Sequence, residues 1–246
     1  MSKVSFAQRS YEPEIMDDLD ASQGEVVYQT LRELATINHL LGGNAVTLRG
    51  LKRMLKDWPK DKVVRLADLG CGGGDMLVVI AQWANKKGYR VSLTGVDFNA
   101  DIVDFAQKNT QAYSEIEYQV ADVFSQEFLQ QEFDIVLCSL FLHHFTDEEL
   151  ITLLGQLAEQ TTLGVLINDL HRHPLAYYSI KWLTQAFSRT PMVKYDVPLS
   201  VLRGFRMADW QQILSKASLP HARMAWRWAF RWEIIIPGRR PSSTEA

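Results

Sequence analysis

Leu66-Ala67-Asp68-Leu69-Gly70-Cys71-Gly72-Gly73-Gly74-Asp75 decides the fold of this 246-residue chain. The run follows an apolar stretch and precedes a helical one, so its glycines fall where a strand hands over to a helix. Glycine lets the backbone turn sharply there and lets a ligand reach the main chain without meeting a β-carbon. A dinucleotide fingerprint would place glycines first, third and sixth. Counted from Gly70 the sixth position is Asp75, an acid where a pyrophosphate needs a bare helix N-terminus. What remains is Asp68-x-Gly70-x-Gly72-x-Gly74, an acid two residues ahead of alternating glycines. A carboxylate at that place counters an ammonium or sulfonium group, as in a cationic amino-acid nucleoside; the plainer alternative is that Asp68 only caps the loop.

Outward from the loop, short apolar runs alternate with helical ones. Residues 63–67, 91–96, 116–120, 135–138 and 163–167 read as five strands, with helices predicted near 75–87, 100–111, 126–131 and 147–160. Such alternation implies right-handed crossovers and an α/β, doubly wound Rossmann-like sheet, mostly parallel. Upstream, Ser22 and Glu25 suggest a capping box for a helix that Gly42-Gly43 ends, and Asn44 suggests the cap of a second helix running to about Trp58-Pro59. Thr146 and Glu149 form another capping pair. Beyond Asp169 the alternation stops for some 35 residues rich in aromatic side chains. A helix near 208–217 and a hairpin, Arg223 to Arg227 with Arg231 to Ile236, then complete a seven-stranded sheet. The expected division is an N-terminal helical cap (1–60), a core (61–237) carrying a helical lid insertion (170–206), and a flexible tail (238–246).

Further acids end later strands. Asp97, in Gly95-Val96-Asp97-Phe98-Asn99, lies about 20 residues past the loop, where a carboxylate accepts from both ribose hydroxyls of a nucleotide cofactor. Phe98 can pack on the adenine face of such a cofactor or be plain core, and Ala121-Asp122-Val123 ends the third strand. Asp68-Leu69-Gly70-Cys71-Gly72-Gly73-Gly74 with these two motifs resembles the class I methyltransferases that use S-adenosylmethionine, over about 170 residues from 63 to 236. The resemblance implies that Asp68, Gly70, Cys71, Gly72 and Gly74 hold the methionyl end. It assigns Asp97 to the ribose and Phe98, Asp122 and Val123 to the adenine. It also makes the first and fourth strands neighbours, which puts Cys138 near Cys71 beside the cofactor, or else leaves both as small buried residues.

Catalytic candidates follow the fourth strand. His143 and His144 stand in Leu140-Phe141-Leu142-His143-His144-Phe145, a hydrophobic-His-His run similar to those of methyltransferases of this class, which implies a role in supporting the cofactor; the alternative is a general base, since a histidine near neutral pKa suits an acceptor that must lose a proton. Transfer from a sulfonium is an in-line displacement, in which alignment and a dry site do most of the work. Asn168-Asp169 and Asp169-x-His171-x-His173 have ligand-like composition, yet Cys138-Ser139 offers no carboxylate opposite them, so no metal is expected. His171 and Arg172 are expected to line the acceptor pocket or support its loop. Tyr177, Tyr178, Trp182 and Phe187 predict an apolar lid face and a small hydrophobic, aromatic acceptor.

The motifs Asn168-Asp169-Leu170-x-Arg172, Met16-Asp17-Asp18 and Ile37 to Gly43 are similar to those of bacterial methyltransferases of polyketide and quinone-like pathways. The expected reaction is therefore O-methylation of a phenol or enol without metal. C-methylation of a quinone or polyketide ring, a nicotinamide-dependent oxidoreductase and a non-catalytic cofactor-binding protein are the alternatives.

Composition bounds these readings. With 47% hydrophobic and 22% charged residues the chain suits one globular domain with a full core. Its uncharged apolar run from Ile135 to Phe145 is too short to span a bilayer, and the start at Met1 lacks a signal-peptide pattern, so a cytoplasmic location is expected. Two cysteines make no disulfide framework or zinc pair. The net charge of -3 argues against a nucleic-acid partner. It is unevenly divided, however: residues 1–170 carry 14 Lys and Arg against 25 Asp and Glu, and residues 171–240 carry 12 against 3. The basic part suggests guidance of an anionic acceptor, an acidic carrier protein or an anionic membrane surface toward the lid.

Overall fold

The computed structural model describes residues 4–20 and 22–239. Seven strands form one sheet in the order β3-β2-β1-β4-β5-β7-β6: β1 (Val64–Leu69), β2 (Val91–Asp97), β3 (Ile116–Val120), β4 (Phe133–Ser139), β5 (Thr161–Leu170), β6 (Arg223–Arg227) and β7 (Arg231–Pro237). The first five are parallel, and β7 returns antiparallel to β5. The expected fold class is therefore the one observed.

Strand alternation sorts the core onto two faces. Leu66, Ile135 and Leu166 face one layer with Leu51, Leu77 and Ile80. Ala67, Leu69, Val136 and Ile167 face the other with Leu153, Leu157, Trp210 and Ile213. The first layer holds α2 (Gly43–Met54), α3 (Asp75–Lys87) and α4 (Ala100–Asn109), and the second holds α6 (Asp147–Gln160) and α9 (Met207–Lys216), with the short α5 (Gln126–Leu129) beside α6. Each fully buried leucine contributes on the order of 2 kcal/mol by leaving water.

Two N-terminal caps differ from their sequence readings. The long helix α1 (Gly24–Leu40) is preceded by Gln23, and the Ser22 hydroxyl instead donates to the carbonyl of Met16 at 2.9 Å. Gly42, at φ 75°, enters α2, because a left-handed residue between two abutting helices suits glycine far better than Asn44. Asn44 lies inside the helix and accepts from Asn38 at 2.9 Å. The box at Thr146 and Glu149 forms as read.

The helices α1 and α2 do different work. Gly50 lets α2 lie directly on Leu166 of β5, where a β-carbon would come within 2.4 Å, so α2 belongs to the sheet's own layer. In contrast α1 packs through Val27 and Leu31 on Ile102 and Phe105, and through Ile37 and Leu41 on the insertion. That insertion is a pair of helices, α7 (Pro174–Phe187) and α8 (Pro191–Arg203), each opened by proline in its first turn. Of the expected tail, Gly238 and Arg239 are held by backbone bonds to Leu163 and Thr161, at 3.1 and 3.0 Å. Residues 240–246 lie outside the described residues.

Candidate active site

The glycine loop leaves the carboxyl end of β1, at the point where β1 and β4 neighbour each other and the strand order reverses. Gly70 and Gly72 adopt φ of 65° and 52°, and the amides of Gly70 and Cys71 bond the carbonyl of Val96 at 2.9 and 3.1 Å. A β-carbon on Gly70 would come within 2.3 Å of the Phe141 ring, whereas on Gly72 it would meet only Leu31 at 3.4 Å. Gly74 has another task. It opens α3 at φ 76° and yields space to the Tyr118 hydroxyl, which a β-carbon would approach to 2.1 Å.

The loop forms one wall of a cavity of about 800 Å³ that extends beneath α7 and α8. Asp68 lines it, almost fully buried, and its carboxylate has no hydrogen-bond partner among the described residues. Burial and the neighbouring Asp97 push its pKa up to about 8. Asp97 accepts from the amide of Asn99 at 3.1 Å and, more weakly, from that of Gly72 at 3.4 Å, and burial raises it too. Cys71, Phe98, Asp122 and Val123 also line the cavity, with Phe98 half exposed. Cys138 pairs in register with Leu69 and is wholly buried in the core below; neither it nor Gly74 is part of the wall, where Gly73 and Asp75 stand instead. Two buried acids beside an apolar cavity, one of them unpartnered, and loop glycines without side chains suit a cationic ligand carrying a diol. S-adenosylmethionine fits that description.

After β4 the chain turns through Leu140, at φ 55°, into a single 3-10 turn, Leu142–His144. Asp169, buried at the end of β5, fixes that turn twice. Its Oδ2 accepts from the Leu142 amide at 2.9 Å, and its Oδ1 lies 2.8 Å from His143 Nδ1. Burial opposes its charge, but His143 holds its carboxyl below the usual range. His144 Nδ1 likewise meets Asp17 Oδ1 at 2.7 Å. Against the burial penalty, His144 and Arg203 hold Asp17 well below the ordinary value.

Glu14, which no motif flagged, completes the group. Its Oε1 lies 3.7 Å from His143 Nε2 and accepts from Ser200 at 2.9 Å, and burial pushes its pKa up to about 7. Glu14 and Asp17 belong to a second 3-10 turn, Ile15–Asp17, whose amides of Ile15 and Met16 donate to Asp196 of α8 at 2.8 and 3.1 Å. Glu14, His143 and His144 each offer a ligand atom within 4.8 Å of the others, while Arg203 Nε stands 3.8 Å from the same Glu14 oxygen. The residues considered from sequence for a metal are otherwise engaged. Asn168 donates to Gly43 and Thr47, His171 accepts from Trp226, and His173 caps α7.

The lid reverses the expectation for its aromatic residues. Tyr178, Trp182 and Phe187 are 57%, 69% and 71% exposed, on the outer face of α7, and Tyr177 packs against Phe6. The cavity is lined instead by Ala176, Ser179, Ile180 and Leu183, with Val193, Val197 and Val201 from α8. Near-helical spacing fixes a stripe but not the direction it faces, and here the face toward α8 and the cavity carries Ala176, Ile180 and Leu183. His171 lines the cavity, and burial pushes it down to about 4, leaving a neutral ring. Arg172 does not line it. Its guanidinium joins the carbonyls of Phe6 and Gly204 and the Asp209 carboxylate, which makes it the supporting residue of the loop.

Residues 66–163 match the methyltransferase domain family. A demethylmenaquinone methyltransferase of Bacillus licheniformis is 28% identical over 166 residues, which are 64% of this chain and 68% of that protein. The plantazolicin methyltransferase BpumL, solved with a pentazolic desmethyl analogue and SAH, superposes with a TM-score of 0.65 at 17% identity, over 92% of this chain and 93% of that one. The CMeT domain of the citrinin polyketide synthase superposes with a TM-score of 0.58 at 16% identity; 78% of this chain is covered, and it spans about half (51%) of that chain. Among the described residues no helix is long and apolar enough to cross a membrane.

Proposed function

We propose that this chain, a class I methyltransferase dependent on S-adenosylmethionine, methylates an oxygen of a small hydrophobic phenol or enol. The observation that carries the reading is the buried Asp169–His143 pair at the wall of an apolar cavity. Asp68, Gly70, Gly72 and Cys71 would hold the methionyl end of the cofactor, Asp97 its ribose, and Phe98, Asp122 and Val123 its adenine. When bound, S-adenosylmethionine supplies an electrophilic methyl group.

The chain's own part is to place the acceptor, keep water out and take a proton. With Nδ1 committed to Asp169, His143 would take the phenol's proton on Nε2, which lies 3.7 Å from Glu14 Oε1, and the Asp169 carboxylate stabilises the imidazolium that results. His144, anchored by Asp17 in the same way, flanks it. The small aliphatic residues of α7 and α8 keep the pocket dry, so the oxygen meets the methyl group unhydrated. No metal enters this scheme, and the Arg203 charge beside Glu14 disfavours one.

The test is turnover of purified protein with labelled cofactor and a panel of alkylphenols and naphthols, the product examined by NMR. O-methyl products, unchanged after dialysis against EDTA, support the reading. A ring-carbon methyl group would instead establish C-methylation, the reading that the demethylmenaquinone methyltransferase favours by its name.

A further inference from the structure

Four arginines are buried around the cavity and the lid, and three of them have carboxylate partners. Arg9 meets Asp147 at 2.5 Å, Arg172 meets Asp209 at 3.0 Å and Arg203 meets Asp17 at 2.6 Å. The fourth, Arg231, is 3% exposed and stands in the cavity wall at the first residue of β7. Its Nη2 donates to Asn38 Oδ1 at 2.9 Å; its Nε and Nη1 have no partner among the described residues, and it joins no ion pair there.

A buried, uncompensated charge is costly, and natural sequences keep one where a ligand completes it. Burial lowers the Arg231 pKa to about 10, so the guanidinium still carries its charge at neutral pH. The nearest balancing field comes from Asp169. That carboxylate, however, is already engaged by His143 and by the amides of Leu142 and Leu170. The acids that the N-terminal turn and α8 bring to the wall are likewise taken, Glu14 by Ser200, Asp17 by His144 and Arg203, and Asp196 by two backbone amides, while the unpartnered Asp68 belongs to β1 beside the glycine loop. The same wall carries the apolar Ile37, Leu41, Leu170 and Phe230, and the His171 ring in it is held neutral.

We propose that the acceptor is an amphipathic acid, an apolar body with one carboxylate-class anionic head, and that Arg231 receives that head. This rests on the reading of the cavity as the acceptor site and narrows its substrate class. Arg231 pairs with Leu170 in the β5–β7 register, one residue from Asp169. A head held there anchors the acceptor on the same strand edge that orients His143. Asn38 of α1, fixed by Asn44, sets the guanidinium plane.

The matched probes are 1-anilinonaphthalene-8-sulfonate, an aromatic anion, and N-phenyl-1-naphthylamine, the same framework without the charge. Both are titrated by fluorescence into the full chain saturated with S-adenosylhomocysteine. Wild type should take up one anionic probe per chain at least about tenfold more tightly than the neutral one, the scale of one charge-assisted contact. Arg231→Gln should bring the two within about twofold while leaving the neutral probe unchanged, and Arg231→Lys should retain part of the preference. In wild type, decanoate should displace the anionic probe and 1-decanol should not, a readout that does not depend on any variant folding. Equal affinity for the two probes, a preference that survives in Arg231→Gln, uptake of neither probe, or displacement by the alcohol as readily as by the acid would each overturn the proposal. Loss of S-adenosylhomocysteine binding by wild type would instead remove the methyltransferase reading, and calorimetry measures that separately.

Discussion

His143 Nδ1 and Asp169 Oδ1 lie 2.8 Å apart, both buried, at the ends of two elements that the sequence separates by 26 residues. The pairing holds the ring by one nitrogen and leaves Nε2, 3.7 Å from Glu14 Oε1, as the nitrogen proposed to accept the proton. Asp169→Asn keeps the shape but offers an amide where the carboxylate was, which destabilises the imidazolium and favours the other tautomer. Turnover should fall by about 10² to 10⁴-fold, as carboxylate removal does in comparable histidine pairs. Calorimetry should find S-adenosylhomocysteine binding within about threefold of wild type. A variant with normal turnover removes His143 from its role.

Glu14 gives a pH signature in stability. Its folded pKa, about 7, is raised above the value of about 4.5 that it has when exposed, so the folded state holds its proton through that interval. Stability from this group is full below pH 4.5 and is lost as pH rises through 7. Glu14→Gln, which mimics the protonated form, should therefore flatten the pH dependence of thermal unfolding between pH 5 and 8. Relative to wild type it should gain up to about 2 to 3 kcal/mol at the alkaline end. Melting curves at pH 5 and pH 8 check the sign.

Asp68, raised to about 8, must be ionised to counter a cation. Affinity for S-adenosylmethionine should increase between pH 6 and 7.5, by at most tenfold per unit. In Asp68→Asn that slope should vanish, and binding should weaken by about 1 to 3 kcal/mol. Isothermal calorimetry at three pH values measures both.

Gly72 and Gly74 separate ligand from packing. Gly72→Ala meets little protein, so melting should drop only by the strain of a left-handed alanine, about 1 kcal/mol, while cofactor affinity falls at least tenfold. Gly74→Ala collides with Tyr118 and should lose more than about 2 kcal/mol of stability, with cofactor affinity in the folded fraction less affected. Paired melting and binding measurements tell the two apart.

The glycine loop and Asp97 stand where the sequence pattern puts them, at strand ends on the cavity wall, because that pattern is local: a strand end, a turn and an acid within a few residues. A mostly parallel sheet follows from the same alternation, whereas the pairing of β1 with β4 comes from the family resemblance. Glu14 and Arg231 carry no such mark. Glu14 gains its place from Ser200, 186 residues away, and Arg231 from Asn38, 193 residues away, so neither is special until the lid and the first turn have packed. The lid aromatics misled for the opposite reason, since a stripe is visible in sequence while the side it faces is decided by α8. Ser22 departs from its expected cap because a hydroxyl at a helix entrance can bond backward as readily as forward.

The turn at Ile15–Asp17 is clasped by Asp196, Ser200 and Arg203 of α8, and the two together close one side of the cavity. The segment that matches the family, residues 66–163, contains neither. On the proposed reading the matched middle supplies the cofactor loop and both histidines, while the two flanks supply the lid, the turn that carries Glu14, and Arg231. Exchanging the flanks as a pair, and never one alone, is the rational route to retargeting the enzyme.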